Sequence, residues 1–174
     1  MSFKYFDYSL FLKFFDSFSK SGIEGIDYTD PLMIEIEQIL AANNQLFYIS
    51  DVILLDIMFV SKSIKTIFGV EPEKVNQGFF LTTTHPDDFH RHQLARTKLV
   101  SMAHGLYIQK KGTKILSTNV RARKPDESSF NALYQARIFY SNVPYESVFL
   151  ILVITDISSF TQIHNGFHFY NGED

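Results

Sequence analysis

The chemical repertoire of this 174-residue chain is six His, 19 acidic and 16 basic side chains, with no Cys. The lack of a thiol excludes cysteine nucleophiles, disulfides, Cys-ligated zinc and iron–sulfur clusters. It also excludes any flavin sensor that works through a cysteinyl adduct. Four of the histidines, His85, His90, His92 and His104, fall in one stretch of helical character. His90 and His92 diverge by roughly 200° on a helix, and no carboxylate returns at i+4, so they do not form a metal set. The neighbours Asp87 and Asp88 are placed to cap a helix start, and Glu35 and Glu37 point apart on another helix. Neither pair is an acid–base dyad. No nucleophile-elbow or phosphate-loop pattern occurs.

His92 and Arg96 carry more information. At about 100° per residue, Phe89, Ala95, Leu99, Val100, Met102, Ala103 and Leu106 span one arc, with His92 near its middle. A histidine facing an apolar interior is costly unless its ring nitrogens find partners. Arg96 shares the arc, where its guanidinium can meet an acidic ligand or reach out to solvent. His85, ahead of Pro86, reads as ordering its turn rather than as a pH-sensitive group. The basic cluster Lys110, Lys111, Lys114, Arg121, Arg123 and Lys124 reads as a solvated strand face. With a net charge of −3, nucleic acid is not the expected partner of this segment.

Periodicity then sets out the elements that would position these groups. Phe11, Phe14, Phe15 and Phe18 form a helical stripe that stops near Gly22. Asp30-Pro31 opens a second helix that runs to about Ala42. From Gln45 the pattern turns to β-branched and aromatic runs, Leu46–Ser50 and Ile53–Ser61, joined at Asp51. Short helical pieces follow, with Ser61-Lys62-Ser63 as a cap, Gly69 as a stop and Pro72 as a new start. Thr84-His85-Pro86-Asp87-Asp88 begins a long helix that lasts to Gly105. Three strands complete the pattern, around Leu116–Ala122, Asn131–Tyr140 and Ser147–Ile157, the last the most apolar and expected at the sheet's centre. This is an α+β order with an antiparallel sheet. The longest apolar run, Val148–Ile154, falls short of the ~20 residues of a spanning helix. The N-terminus has no signal-peptide layout, so the expected location is cytoplasmic, with no membrane partner.

Three pieces of this arrangement resemble a PAS domain, the small sensory module of signalling proteins and transcription regulators. They are Phe59-Val60-Ser61-Lys62-Ser63-Ile64-Lys65-Thr66-Ile67-Phe68-Gly69-Val70-Glu71-Pro72-Glu73-Lys74, then His85-Pro86-Asp87-Asp88, then Val153-Ile154-Thr155-Asp156-Ile157-Ser158. The resemblance covers roughly Gln45 to Ser159. It implies a five-stranded antiparallel sheet with helices packed on one face, here preceded by two N-terminal helices. The implied organisation is residues 1–44 as a helical extension, 45–159 as the sensory domain and 160–174 as a connector. The last segment is similar to the connector that leads to a helix-turn-helix in PAS-containing regulators of the LuxR type.

Domains of this kind bind a ligand between sheet and helices, dimerise through flanking helices and signal to an output domain. They are usually not enzymes. Helix and strand facing selects His92, Arg96, Leu99, Phe59 and Tyr134 as the expected ligand-binding residues, with Met58, Met102, Phe47 and Phe139 as further candidates to line a cavity. The cofactor is not identified. Haem, with His92 as axial ligand and Arg96 on a propionate, ranks behind a hydrogen-bonded core histidine or simple surface exposure. The expected partner is a second copy of the chain, through Phe11, Phe14, Phe18, Leu32, Ile36 and Ile39. Two alternatives stay open, a dimerisation module that binds no ligand and a small α+β enzyme of the cone-shaped barrel type.

Overall fold

A computed structural model describes residues 29–159 and 168–171. The Phe11–Phe18 stripe and most of the connector lie outside these residues. The first described helix, α1 (Pro31–Ala42), begins where the sequence predicts. Asp30 Oδ1 accepts from the backbone N–H of Leu32 at 2.8 Å and of Met33 at 3.3 Å, with Pro31 at the first helical position. Strands β1 (Gln45–Asp51) and β2 (Asp56–Val60) follow, joined by a turn in which Leu55 takes a positive φ of 58°. The short helix α2 (Ile64–Phe68) ends at Gly69, whose φ of 74° favours a residue without a Cβ. The predicted serine cap is absent, since Ser63 makes no capping bond and Ser61 Oγ accepts from Phe47 N instead. Pro72–Lys74 is a 3₁₀ turn, and α3 (Phe79–Thr82) is a single turn that periodicity does not announce.

The long helix α4 (Pro86–Gln109) runs through Gly105, where a Cβ would meet nothing within 4 Å. Strands β3 (Thr113–Arg123), β4 (Ser129–Ser141) and β5 (Ser147–Asp156) complete a continuous antiparallel set. A sixth strand, β6 (His168–Asn171), pairs with β3, so part of the predicted connector extends the sheet. The strand order is β2-β1-β5-β4-β3-β6, with apolar β5 in the interior as expected. Among the described residues, no helix is long and apolar enough to cross a membrane.

Two cores lie on opposite faces of the sheet. On one face α2, α3 and α4 cover Leu46, Tyr48, Val60, Tyr134, Ala136, Leu150 and Leu152. On the other, α1 places Met33, Ile36 and Leu40 over Phe47, Ile49, Phe59, Phe149 and Ile151. Glu37 ties α1 down by accepting the Lys62 N–H at 2.6 Å. Helix α1 therefore does not stack with the rest, and Ile36, 3% exposed, is already covered by its own sheet instead of facing a second copy. Leu32 packs against the same core, half-buried.

The far core also corrects the placement of Phe59. Phe59 pairs with Ile49 and Val60 with Tyr48, so strand alternation sends Phe59 to the face of α1. There its ring stacks on Phe47 at 5.0 Å. Met58 is the extra residue of a bulge, because the register passes from Phe59 to Ile57 as β1 advances from Ile49 to Ser50. Met58 and Phe139 pack with this core as well, while Met102 stays with the helical one. Truncating Phe59 to Ala should cost about 3–5 kcal/mol in a urea titration.

Candidate functional site

The entrance to α4 is fixed by a clamp on β3. Asp88 Oδ2 accepts from the Arg121 backbone N–H at 2.7 Å and from its Nε at 3.1 Å, and Arg121 Nη2 donates to Asp88 Oδ1 and Asp87 Oδ2, each at 3.1 Å. His85 N donates to the Arg121 carbonyl at 2.8 Å, and His85 Nδ1 accepts from Asp87 N at 3.3 Å. Asp88 is thus not the amide cap the sequence predicts; it is the side chain that binds α4 to the sheet. Nor are the basic residues a free solvated face. Arg121 is taken up by the clamp, Lys110 pairs with Glu146 at 3.0 Å, and Lys124 lies 5.4 Å over the Phe130 ring.

With its start pinned, α4 lays His92, Ala95, Arg96 and Leu99 across the sheet. Below them, Tyr48, Leu152, Ala136 and Leu116 are direct cross-strand neighbours on β1, β5, β4 and β3. Between the layers lies a cavity of about 70 Å³, lined by these residues together with Ser50, Gln77, Phe80, Thr118, Tyr134 and Leu150. Two small side chains, Ala95 above and Ala136 below, leave the space that larger ones would occupy. Exposed Leu55 and Val100 belong to the same lining and mark its outer edge.

The polar atoms in this lining are unusual. Ser50 Oγ, Gln77 Nε2 and Tyr134 Oη are buried with no hydrogen-bond partner. Ser50 and Tyr134 are 1% and 3% exposed. A buried polar atom left unmatched costs about 1–3 kcal/mol, so three in one cavity call for an explanation. Arg96 Nη2 donates to the Gln77 carbonyl at 3.0 Å, which fixes the guanidinium at the cavity wall. Burial pushes the Tyr48 phenol up to about 12, with the Arg96 charge pulling the other way. Burial drives the Tyr134 phenol higher still, the nearby Tyr48 adds to the rise, and Arg96 again opposes it. Both phenols are therefore neutral hydrogen-bonding groups at physiological pH. Their rings are set by packing: Tyr48 stacks on Phe80 at 4.7 Å, and Tyr134 meets His92 edge-on at 5.3 Å.

His92 is 4% exposed, and its Nδ1 sits 2.6 Å from Thr84 Oγ1. The Thr84 hydroxyl donates to the Phe80 carbonyl at 2.9 Å, so the network makes His92 Nδ1 the donor to Thr84. The ring is a hydrogen-bonded core histidine at the cavity wall. Haem does not fit here. Pockets for ligands of drug size or larger run to roughly 300–1,000 Å³, far beyond this cavity, and the same limit applies to a flavin. Among the described residues, no group of three or more His, Asp or Glu could hold a metal ion.

Of the five residues selected from sequence, His92, Arg96, Leu99 and Tyr134 come together at the cavity, and Phe59 lies behind the sheet. Sequence reasoning missed Tyr48, Ser50, Gln77, Phe80 and Ala136. Tyr48 and Ser50 were within reach, since i and i+2 on β1 share a face. Ala136 was likewise two residues from Tyr134. Gln77 is in a loop, where no periodicity marks it.

Two measurements follow from this geometry. Tyr134→Phe deletes a buried unmatched hydroxyl, so it should stabilise the ligand-free protein by about 1–3 kcal/mol in chemical denaturation. Partial burial pushes the Asp88 carboxyl up, but the Arg121 side-chain and backbone hydrogen bonds and the Arg121 and Arg91 charges outweigh it and hold Asp88 below its ordinary value. Its stabilisation is therefore complete above the unfolded carboxylate range near pH 4 and is lost as pH falls through the lower folded value. Asp88→Asn should reduce stability at pH 7 and flatten this part of the acid dependence, measured as urea midpoints between pH 2 and 7.

No family model and no curated protein sequence matches the chain. Solved structures do. The N-terminal domain of a diguanylate cyclase with PAS/PAC sensor from Marinobacter aquaeolei superposes with a TM-score of 0.51 at 14% identity, covering 66% of this chain and 96% of that one. A PAS domain from Colwellia psychrerythraea gives 0.47 at 14% identity, covering 74% of this chain and 98% of that one. A sensory box histidine kinase/response regulator from Burkholderia thailandensis gives 0.48 at 13% identity, covering 72% and 86%. At 14% identity the likeness to the Marinobacter sensor domain is one of fold, and the sheet with its helical layer described above has the fold of a PAS domain.

Proposed function

We propose that this chain is a sensory domain of a signalling protein, which binds a small ligand between α4 and the sheet and is not itself an enzyme. The observation that carries the reading is the cavity with three unmatched polar atoms, Ser50 Oγ, Gln77 Nε2 and Tyr134 Oη. A module serving only for assembly has no reason to keep them, because an apolar replacement of the same shape is at least as stable. A catalytic reading finds little support in the lining, which offers His92, Arg96 and neutral hydroxyls with no carboxylate to complete an acid–base pair.

The ligand would act by population shift. Contacts with both Arg96 on α4 and Ser50 or Tyr134 on the sheet favour the state in which the two layers are closest. A second copy of the chain and an output domain would read that state. In the resemblance to regulators of the LuxR type, the output is a helix-turn-helix, and the process is transcription.

The test is native mass spectrometry of freshly purified protein, combined with thermal shifts against a panel of small polar molecules. A retained mass or a shift, lost in Ala136→Leu, supports the reading. A urea titration of that variant shows whether the leucine is accommodated, since overpacking a core costs about 1–3 kcal/mol. A parent that carries nothing and answers to no member of the panel would favour the assembly module.

A further inference from the structure

Resting on the ligand-binding reading above, we infer that the cavity selects a short-chain monocarboxylate with a small aliphatic tail. Charge, donor pattern and size each point to this class.

The charge is that of Arg96, half-buried at the wall. Among the described residues no carboxylate pairs with it, and its Nη2 donates to the neutral Gln77 carbonyl. A guanidinium has five N–H donors in a planar fork that matches a carboxylate. A partly desolvated cation without a counter-charge gains most from an anion that arrives with the ligand.

The donor pattern agrees. The unmatched Gln77 Nε2 can only donate, and the Ser50 and Tyr134 hydroxyls can donate. A ligand rich in acceptors satisfies them together, whereas an amine would face the Arg96 charge.

Size and surroundings set the rest. A cavity of about 70 Å³ is well above the roughly 10–15 Å³ that one water needs and well below the pockets of drug-sized ligands, which suits a molecule of a few non-hydrogen atoms. Beyond the polar atoms the lining is Ala95, Leu99, Leu116, Ala136, Leu150 and Leu152. A second carboxylate would meet these side chains with no counter-charge, which disfavours dicarboxylates.

Isobutyrate, isobutyramide and succinate are the probes, titrated into the whole chain by calorimetry or by chemical-shift mapping. Isobutyrate should bind about tenfold or more tightly than either of the others. Arg96→Gln should weaken isobutyrate by about tenfold or more while leaving isobutyramide within about twofold. Arg96→Lys, which keeps the charge and loses the fork, should fall between. Equal binding of isobutyrate and isobutyramide, or an Arg96→Gln protein that binds isobutyrate as the parent does, overturns the carboxylate class and leaves the ligand reading standing. If none of the probes binds and Ala136→Leu behaves as the parent toward a broad panel of neutral molecules, the cavity takes no ligand and both inferences fall.

Discussion

The attachment of α4 to β3 through Asp88 and Arg121 is the constraint on which the helical layer depends. A helix of 24 residues extends about 36 Å, so a small change of angle at its first turn displaces its far end considerably. One carboxylate engages both the backbone N–H and the guanidinium of Arg121, so it restrains orientation as well as distance. The backbone reinforces it, with Arg123 N donating to the Thr83 carbonyl and a bridge between Thr84 and Ala122. Thr84 in turn reaches His92. The anchor and the cavity wall are thus neighbours in one hydrogen-bonded sequence, from β3 through Thr84 to the second turn of α4.

Against that rigid anchorage the cavity is a local concession. Aromatic rings crowd its margin, with Phe80 between Tyr48 and Tyr134 and Phe68 edge-on to Phe80. A core with this many rings has shape fixed by stacking and T-shaped contacts, which cannot flow to close a gap. Ala95 and Ala136 then keep the gap open at the layer interface. Ser50 Oγ, Gln77 Nε2 and Tyr134 Oη thus sit where rearrangement is least able to hide them.

The secondary structure was legible wherever local physics decides it. Asp30-Pro31 starts α1, His85-Pro86 starts α4, Gly69 stops α2, and the alternation from Leu116 to Ala122 marks β3. The side of the sheet that each element occupies was less legible. The apolar positions Leu32, Ile36 and Ile39 say that α1 must be covered, which a second copy or its own sheet satisfies equally, and the structure buries Met33, Ile36 and Leu40 against the sheet. Phe59 was misplaced because face depends on register, and the bulge at Met58 interrupts the simple count along β2. On α4 the facing of His92, Arg96 and Leu99 could be read, because a helix of that length keeps its phase. The remaining wall, including Gln77 on its loop and Phe80 on a single turn, is brought there by tertiary contacts that leave no periodic trace. β6 joins the sheet's edge by antiparallel pairing with β3, and its four residues are too few to show an alternation.

Strand β1 serves both cores at once. Its successive residues Phe47, Tyr48, Ile49 and Ser50 point alternately toward α1 and toward the cavity. The chain between neighbouring side chains is a single planar peptide unit, with little compliance of its own. A rotation of β1 about its own axis that lets Tyr48 or Ser50 follow a bound molecule displaces Phe47 and Ile49, on the opposite face, the other way beneath α1. The sheet works in this respect as a lever whose fulcrum is the hydrogen-bonded ladder to β5. Its far arm ends under the helix that leads back to the N-terminal segment.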